Sequence, residues 1–120
     1  MDTIIKILVG IIAFQHLYFM WFEMFAWESR GKKLFKAPSK SFFKDTKSMA
    51  ANQGLYNGFL AAGLIWSLLL ADPIWSRHIA IFFTACVAVA GIYGAISVNK
   101  IILYLQGIPA LVTLGLLIFG

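Results

Sequence analysis

Charged side chains are scarce in this sequence. They make up 12% of its 120 residues, whereas 61% of the residues are hydrophobic. This apolar excess is more than the core of a soluble protein of this length can bury, so the composition indicates a membrane protein. Proline occurs only three times, and no segment rich in Pro, Gly or Ser divides the chain. We therefore expect one domain over residues 1–120.

Cysteine is almost absent too. Cys86 is the only one, which excludes an intramolecular disulfide and a CxxC redox or zinc motif. The sequence also lacks a cluster of metal ligands, a glycine-rich phosphate loop and a nucleophile with a nearby base. We predict no metal or cofactor. The sequence leaves open whether the chain is an enzyme and favours a non-enzymatic role.

Long apolar runs are what the sequence does contain. A bilayer core of ~30 Å needs roughly 20 mostly apolar residues per helix, and four segments meet this requirement. Backbone groups in lipid must pair within the chain, so we expect an all-α fold, a transmembrane four-helix bundle with up-down topology. The predicted spans are residues 3–27, 50–71, 78–98 and 101–119.

Basic residues are concentrated between the first two spans. Seven of the ten lie in residues 28–48, and Lys100 falls on the same predicted side, against Lys6 and Arg77 on the other. Short basic loops stay in the cytoplasm, so we expect both termini outside. This clustering does not favour a nucleic-acid partner. Because Leu34, Phe35, Phe42 and Phe43 interrupt the lysines, the loop either contacts anionic lipids or is only a topology signal.

Polar residues within the predicted spans suggest a site. His16 and Glu23 are about two turns apart on one helix face. Ionisable groups facing lipid cost roughly 2.5 to 3.5 kcal/mol, so we expect such side chains to face the bundle interior. We predict a polar pocket open to the cytoplasm; interhelical hydrogen bonds without a ligand are the alternative. The candidate residues are His16, Glu23, Asn52, Gln53, Asn57, Tyr93 and Gln106.

Three further patterns concern helix packing and helix ends. Ala90 with Gly94 and Gly91 with Ala95, each pair four residues apart, predict a close helix approach in the third span. Asp72 and Pro73 predict the exit from the second span. Pro109 predicts a kink or a late helix start that leaves free carbonyl groups near Gln106.

The segments "KILVGIIAFQHLYFMWFEMFAW", "NQGLYNGFLAAGL", "AGIYGA" and "QGIPALVTL" resemble a bacterial membrane-protein family, domain of unknown function 1304. The resemblance spans nearly the whole chain and implies a multi-pass protein of the bacterial plasma (inner) membrane, without implying a reaction. The family more often has Glu where this chain has Gln15. In size and layout the chain also resembles DoxX-type four-span proteins and small multidrug resistance transporters, a likeness of fold alone.

Three functions remain open. The first is binding or transport of a small molecule, with a homodimer as the working unit and Glu23 taking a proton or a cation. The second is a structural or accessory subunit whose polar residues join the helices. The third is a quinone-linked redox component in which Glu23 and His16 carry protons.

Overall fold

The computed structural model describes residues 1 to 120, and every regular element in it is helical. The prediction of an all-α fold is therefore confirmed. A π-helical turn, Leu103–Gly107, precedes the last helix. The helices are α1 (Thr3–Phe25), α2 (Trp27–Leu34), α3 (Phe42–Asp45), α4 (Lys47–Leu69), α5 (Pro73–Ser97) and α6 (Ile108–Phe119).

Two helices, α1 and α5, are long and apolar enough to cross a membrane, compared with the four spans that the sequence predicted. Helix α4 has 23 residues, but three amide side chains in its first half lower its hydropathy. The fourth predicted span corresponds to a shorter apolar helical segment, Leu103–Phe119. Length and composition thus support two candidate spans, and the bundle topology stays a prediction.

The basic segment after α1 contains helices, whereas the sequence predicted a loop. Helix α2 carries Lys32 and Lys33 in its last turn. The indole of Trp27 packs edge-on against Phe43 at 5.2 Å between ring centroids, and its Nε1 donates to Thr46 Oγ1 at 2.9 Å. Pro38 lies between α2 and α3, as expected of a residue that interrupts helices. Aromatic packing therefore folds a segment that the sequence predicted as a loop, either in contact with anionic lipids or only a topology signal.

Asp72 and Pro73 begin α5, which corrects their prediction as a helix exit. The Asp72 carboxylate accepts from the backbone N–H of Ile74 at 2.9 Å, and Pro73 occupies the first turn. Both residue types suit a helix start, because the carboxylate caps orphan N–H groups and proline lacks one. One turn further along α5, the Arg77 guanidinium donates to the carbonyl of Leu117 near the end of α6.

The chain groups into two units, residues 1–14 with 60–120, and residues 15–59. The first unit has an apolar core supplied by α1, α4, α5 and α6. Within it α5 and the π-helical turn approach closely at Gly91, where an added Cβ would lie 2.5 Å from the Cα of Gly107. The expected close approach at Gly91 is therefore present. The prediction of one domain is left untested.

The π-helical turn lies where the sequence predicted a kink before Pro109. The backbone N–H of Ile108 donates to the carbonyl of Leu103, five residues earlier, so the helix is widened locally. Pro109 then occupies the first turn of α6. Leu105 and Gln106 both take part in interactions, and the free carbonyls expected near Gln106 stay a prediction.

Candidate functional site

One interhelical contact in the second unit joins a carboxyl group to an amide. Asn57 Nδ2, on α4, donates a hydrogen bond to Glu23 Oε1, on α1, over 2.5 Å. Glu23 is partly buried and its neighbours in the chain are apolar, so its carboxylate sits where solvation is reduced. The neutral amide orients the carboxylate and adds no positive charge. The site can therefore accept a proton or a cation.

Two glycines of α4 allow this contact. A Cβ on Gly54 would lie 2.7 Å from Met24 Cγ and 3.0 Å from Glu23 Cβ, and one on Gly58 would lie 2.7 Å from Met20 Sδ. Their spacing of four residues places both glycines on one face of α4, where they let α1 and α4 approach. Sequence reasoning missed this pair, although the segment "GLYNG" carries the small-residue spacing that signals it.

The other predicted residues of this unit are Asn52, Gln53 and His16, and the prediction that they share a pocket with Glu23 stays a prediction. Asn52 and Gln53 are both exposed, although the sequence predicted that they face inwards. His16 is fully buried, with its ring edge-on to Phe19 at 5.3 Å between centroids. Burial of an imidazole in an apolar helix makes it a packed core residue as well as a candidate proton carrier.

Tyr93 and Gln106 belong to the first unit. Tyr93 is 61% exposed and borders a shallow apolar groove beside Phe82 and Cys86. Gln106 is partly buried within the π-helical turn. The prediction that these two residues share a pocket with Glu23 remains a prediction.

A second polar feature lies at the junction of α1, α2 and α4, in the basic segment for which the sequence left open contact with anionic lipids or a topology signal alone. Glu28 forms salt bridges with Lys32 at 3.7 Å and with Lys47 at 3.8 Å. These side chains form one wall of a cleft of about 350 Å³. The pairing of Glu28 with Lys32 could have been found from their spacing of four residues on a helix. Its pairing with Lys47 depends on the fold.

Aromatic rings in the same unit are already engaged by protein groups. The guanidinium of Arg30 lies 5.6 Å from the centroid of the Trp21 ring, within cation-π range. Tyr56 is exposed and packs at a tilt against Phe59, 6.2 Å between ring centroids.

Groups of three or more His, Cys, Asp or Glu side chains that could hold a metal ion are not present.

Comparison with known proteins assigns the chain to a family. The profile described as "Protein of unknown function (DUF1304)" matches residues 10–118, a range that includes His16, Glu23, Asn57 and Gln106. The chain belongs to the DUF1304 family. It is 26% identical over 115 residues to the uncharacterised protein YpaA of Lactococcus lactis, covering 93% of this chain and 95% of that protein. No solved structure matches the chain. The DUF1304 assignment confirms the resemblance and identifies no ligand.

Proposed function

We propose that this DUF1304 protein is a small integral membrane protein that binds or transports a small molecule, a proton or an organic cation, at Glu23. The observation that carries the proposal is the pairing of the Glu23 carboxylate with the neutral amide of Asn57. An acidic group in an apolar helix is costly unless its charge is matched. A neutral partner leaves that charge to be matched by a proton or a bound cation.

The membrane arrangement is part of the same proposal. Four helical segments cross a bacterial plasma membrane, with both termini outside and the basic residues 28–48 in the cytoplasm. The two long apolar helices support spanning, and the concentration of lysines in one segment supports the orientation. In this orientation Glu23 lies toward the cytoplasmic end of α1 and its pocket opens to that side.

Orientation is tested with a single accessible cysteine. In a Cys86→Ser background, a Ser39→Cys variant is expected to react with a membrane-impermeant maleimide only after the cells are permeabilised. Labelling of Ser39→Cys in intact cells would show that the segment lies outside the cell, opposite to the proposed orientation.

Transport is tested in proteoliposomes that contain a pH-sensitive dye. A membrane potential imposed with potassium and valinomycin is expected to drive proton flux through the wild type and not through Glu23→Gln. Glu28→Gln is the matched control, because it removes the same charge from the α2 cleft and should retain the flux. Equal flux in the wild type and Glu23→Gln would overturn a role for Glu23 in transport.

A structural role is the second candidate, favoured by the way the Glu23–Asn57 bond and Gly54 join α1 to α4. An accessory subunit needs this contact for assembly only. A Glu23→Leu/Asn57→Leu variant, which lacks the bond, would then have a lower thermal stability and weaker association with its partners. Loss of proton flux in that variant, with unchanged stability, would favour transport instead.

A further inference from the structure

The cleft beside α2 combines two kinds of wall. Met24, Phe25 and Trp27 form the apolar side, and Glu28, Lys32 and Lys47 form the charged side. It has a volume of about 350 Å³ and is open at the surface. A cleft with one apolar wall and one basic wall suits a ligand that carries an anionic group next to a hydrocarbon chain.

The charged wall is held in place by weak contacts. Lys32 and Lys47 pair with different carboxylate oxygens of Glu28, at 3.7 and 3.8 Å, and the lysine side chains are 54% and 62% exposed. Exposed ion pairs of this length contribute little to stability, so both ammonium groups remain available to a stronger anion. The three groups together carry one net positive charge, which complements a ligand with one negative charge.

We propose that this cleft binds the headgroup of an anionic phospholipid with a single phosphodiester, such as phosphatidylglycerol. The ammonium groups of Lys32 and Lys47 hold the phosphate oxygens, and the Glu28 carboxylate offsets the repulsion between the two ammonium groups. The glycerol backbone and the first acyl carbons pack on Met24 and Phe25, which is 71% exposed. This inference goes beyond the function proposed for Glu23 and does not depend on it.

A specific cleft differs from general attraction between a basic segment and an anionic surface. General attraction contributes about 1 kcal/mol for each Lys or Arg near the membrane, whichever lysine is counted. The same segment contains Lys36 and Lys40, which line no part of the cleft and form no salt bridge. A specific cleft therefore predicts that removing the charges of Lys32 and Lys47 weakens lipid binding more than removing those of Lys36 and Lys40. General attraction predicts the same loss for both pairs.

The experiment measures lipid binding to the purified full-length protein in a neutral detergent. Phosphatidylglycerol is titrated and the complexes are counted by native mass spectrometry, with phosphatidylcholine and inorganic phosphate as competitors. We expect Lys32→Gln/Lys47→Gln to weaken phosphatidylglycerol binding by about thirtyfold or more, and Lys36→Gln/Lys40→Gln to change it by less than about threefold. Neither competitor should displace the lipid.

Glu28→Gln should change the affinity for phosphatidylglycerol in the opposite direction to the lysine substitutions. It keeps both lysines and raises the net charge of the cleft, so we expect tighter phosphatidylglycerol binding. Equal weakening by the two lysine pairs would overturn the cleft in favour of general attraction. Displacement by inorganic phosphate would overturn it in favour of a site for free phosphate. Weaker binding in Glu28→Gln would show that the carboxylate itself contacts the ligand, contrary to the proposal.

Discussion

The amide of Asn57 and the carboxylate of Glu23 are joined by a hydrogen bond of 2.5 Å, although the residues are 34 positions apart in the chain. The bond links α1 to α4, and the residues beside Glu23 in α1 are apolar. It joins the two helices and leaves the carboxylate charge unmatched, and these two consequences can be separated by substitution.

Asn57→Ala and Glu23→Gln should differ in their effect on stability. Asn57→Ala removes the donor and should lower the free energy of unfolding by about 1 kcal/mol, the usual size of such a bond in a partly buried site. Glu23→Gln retains an acceptor oxygen for Asn57 and should leave stability nearly unchanged. Thermal unfolding in detergent measures both. Equal destabilisation by the two variants would contradict the expectation that the bond needs only the Asn57 amide donor and any acceptor oxygen at position 23.

Gly54→Ala should be more harmful than Gly58→Ala. The new Cβ at position 54 would lie within 3.1 Å of the Met20 backbone carbonyl oxygen as well as close to Glu23, whereas the nearest atom at position 58 is the flexible end of Met20. We expect Gly54→Ala to cost about 1 to 3 kcal/mol. At position 58 a small shift of the Met20 side chain is offset by the better helix propensity of alanine. Unfolding of the two variants side by side provides the measurement.

Gly91→Ala and Gly115→Ala should have opposite effects on stability. At Gly91 an added Cβ would lie 2.5 Å from backbone atoms of Gly107, which a side-chain rotation cannot relieve. At Gly115 nothing lies within 4 Å, so the substitution should stabilise the helix by about 0.5 to 1 kcal/mol. The melting temperature in detergent should fall for the first variant and rise for the second. A rise for both would mean that α5 and the π-helical turn are not closely packed at Gly91.

Thr84→Val and Thr113→Val test the buried hydroxyl groups of the first unit. Both threonines are fully buried, but only Thr113 donates its hydroxyl, to the carbonyl of Pro109 at 2.8 Å. The Thr84 hydroxyl has no hydrogen-bond partner. Thr84→Val removes an unsatisfied polar atom and should be neutral or stabilising, whereas Thr113→Val should cost about 1 kcal/mol. A large loss of stability in Thr84→Val would show that its hydroxyl serves a ligand or another polar group.

Helix ends illustrate where sequence reasoning was wrong. The sequence predicts that Asp72 and Pro73 end the second span. The same residues are better suited to begin a helix, and α5 begins at Pro73. Similarly, the sequence offered Phe42 and Phe43 as lipid contacts in a loop, whereas both rings pack against Trp27 and join α3 to α2. In both cases a local pattern had two physical meanings, and the packing of neighbouring residues decided between them.

Family membership and helical class were determined by the sequence alone. Long apolar runs permit only helices whose backbone groups pair within the segment, and the motifs around His16 and Glu23 carried the family resemblance. Only the tertiary structure decided which polar groups meet. Asn52, Gln53 and Asn57 lie in the same stretch of α4, yet only Asn57 contacts Glu23, because contact depends on the helix face and on the approach that Gly54 and Gly58 permit. Glu28 likewise reaches Lys47 through the fold of α2 and α3, at a separation that no helical spacing predicts.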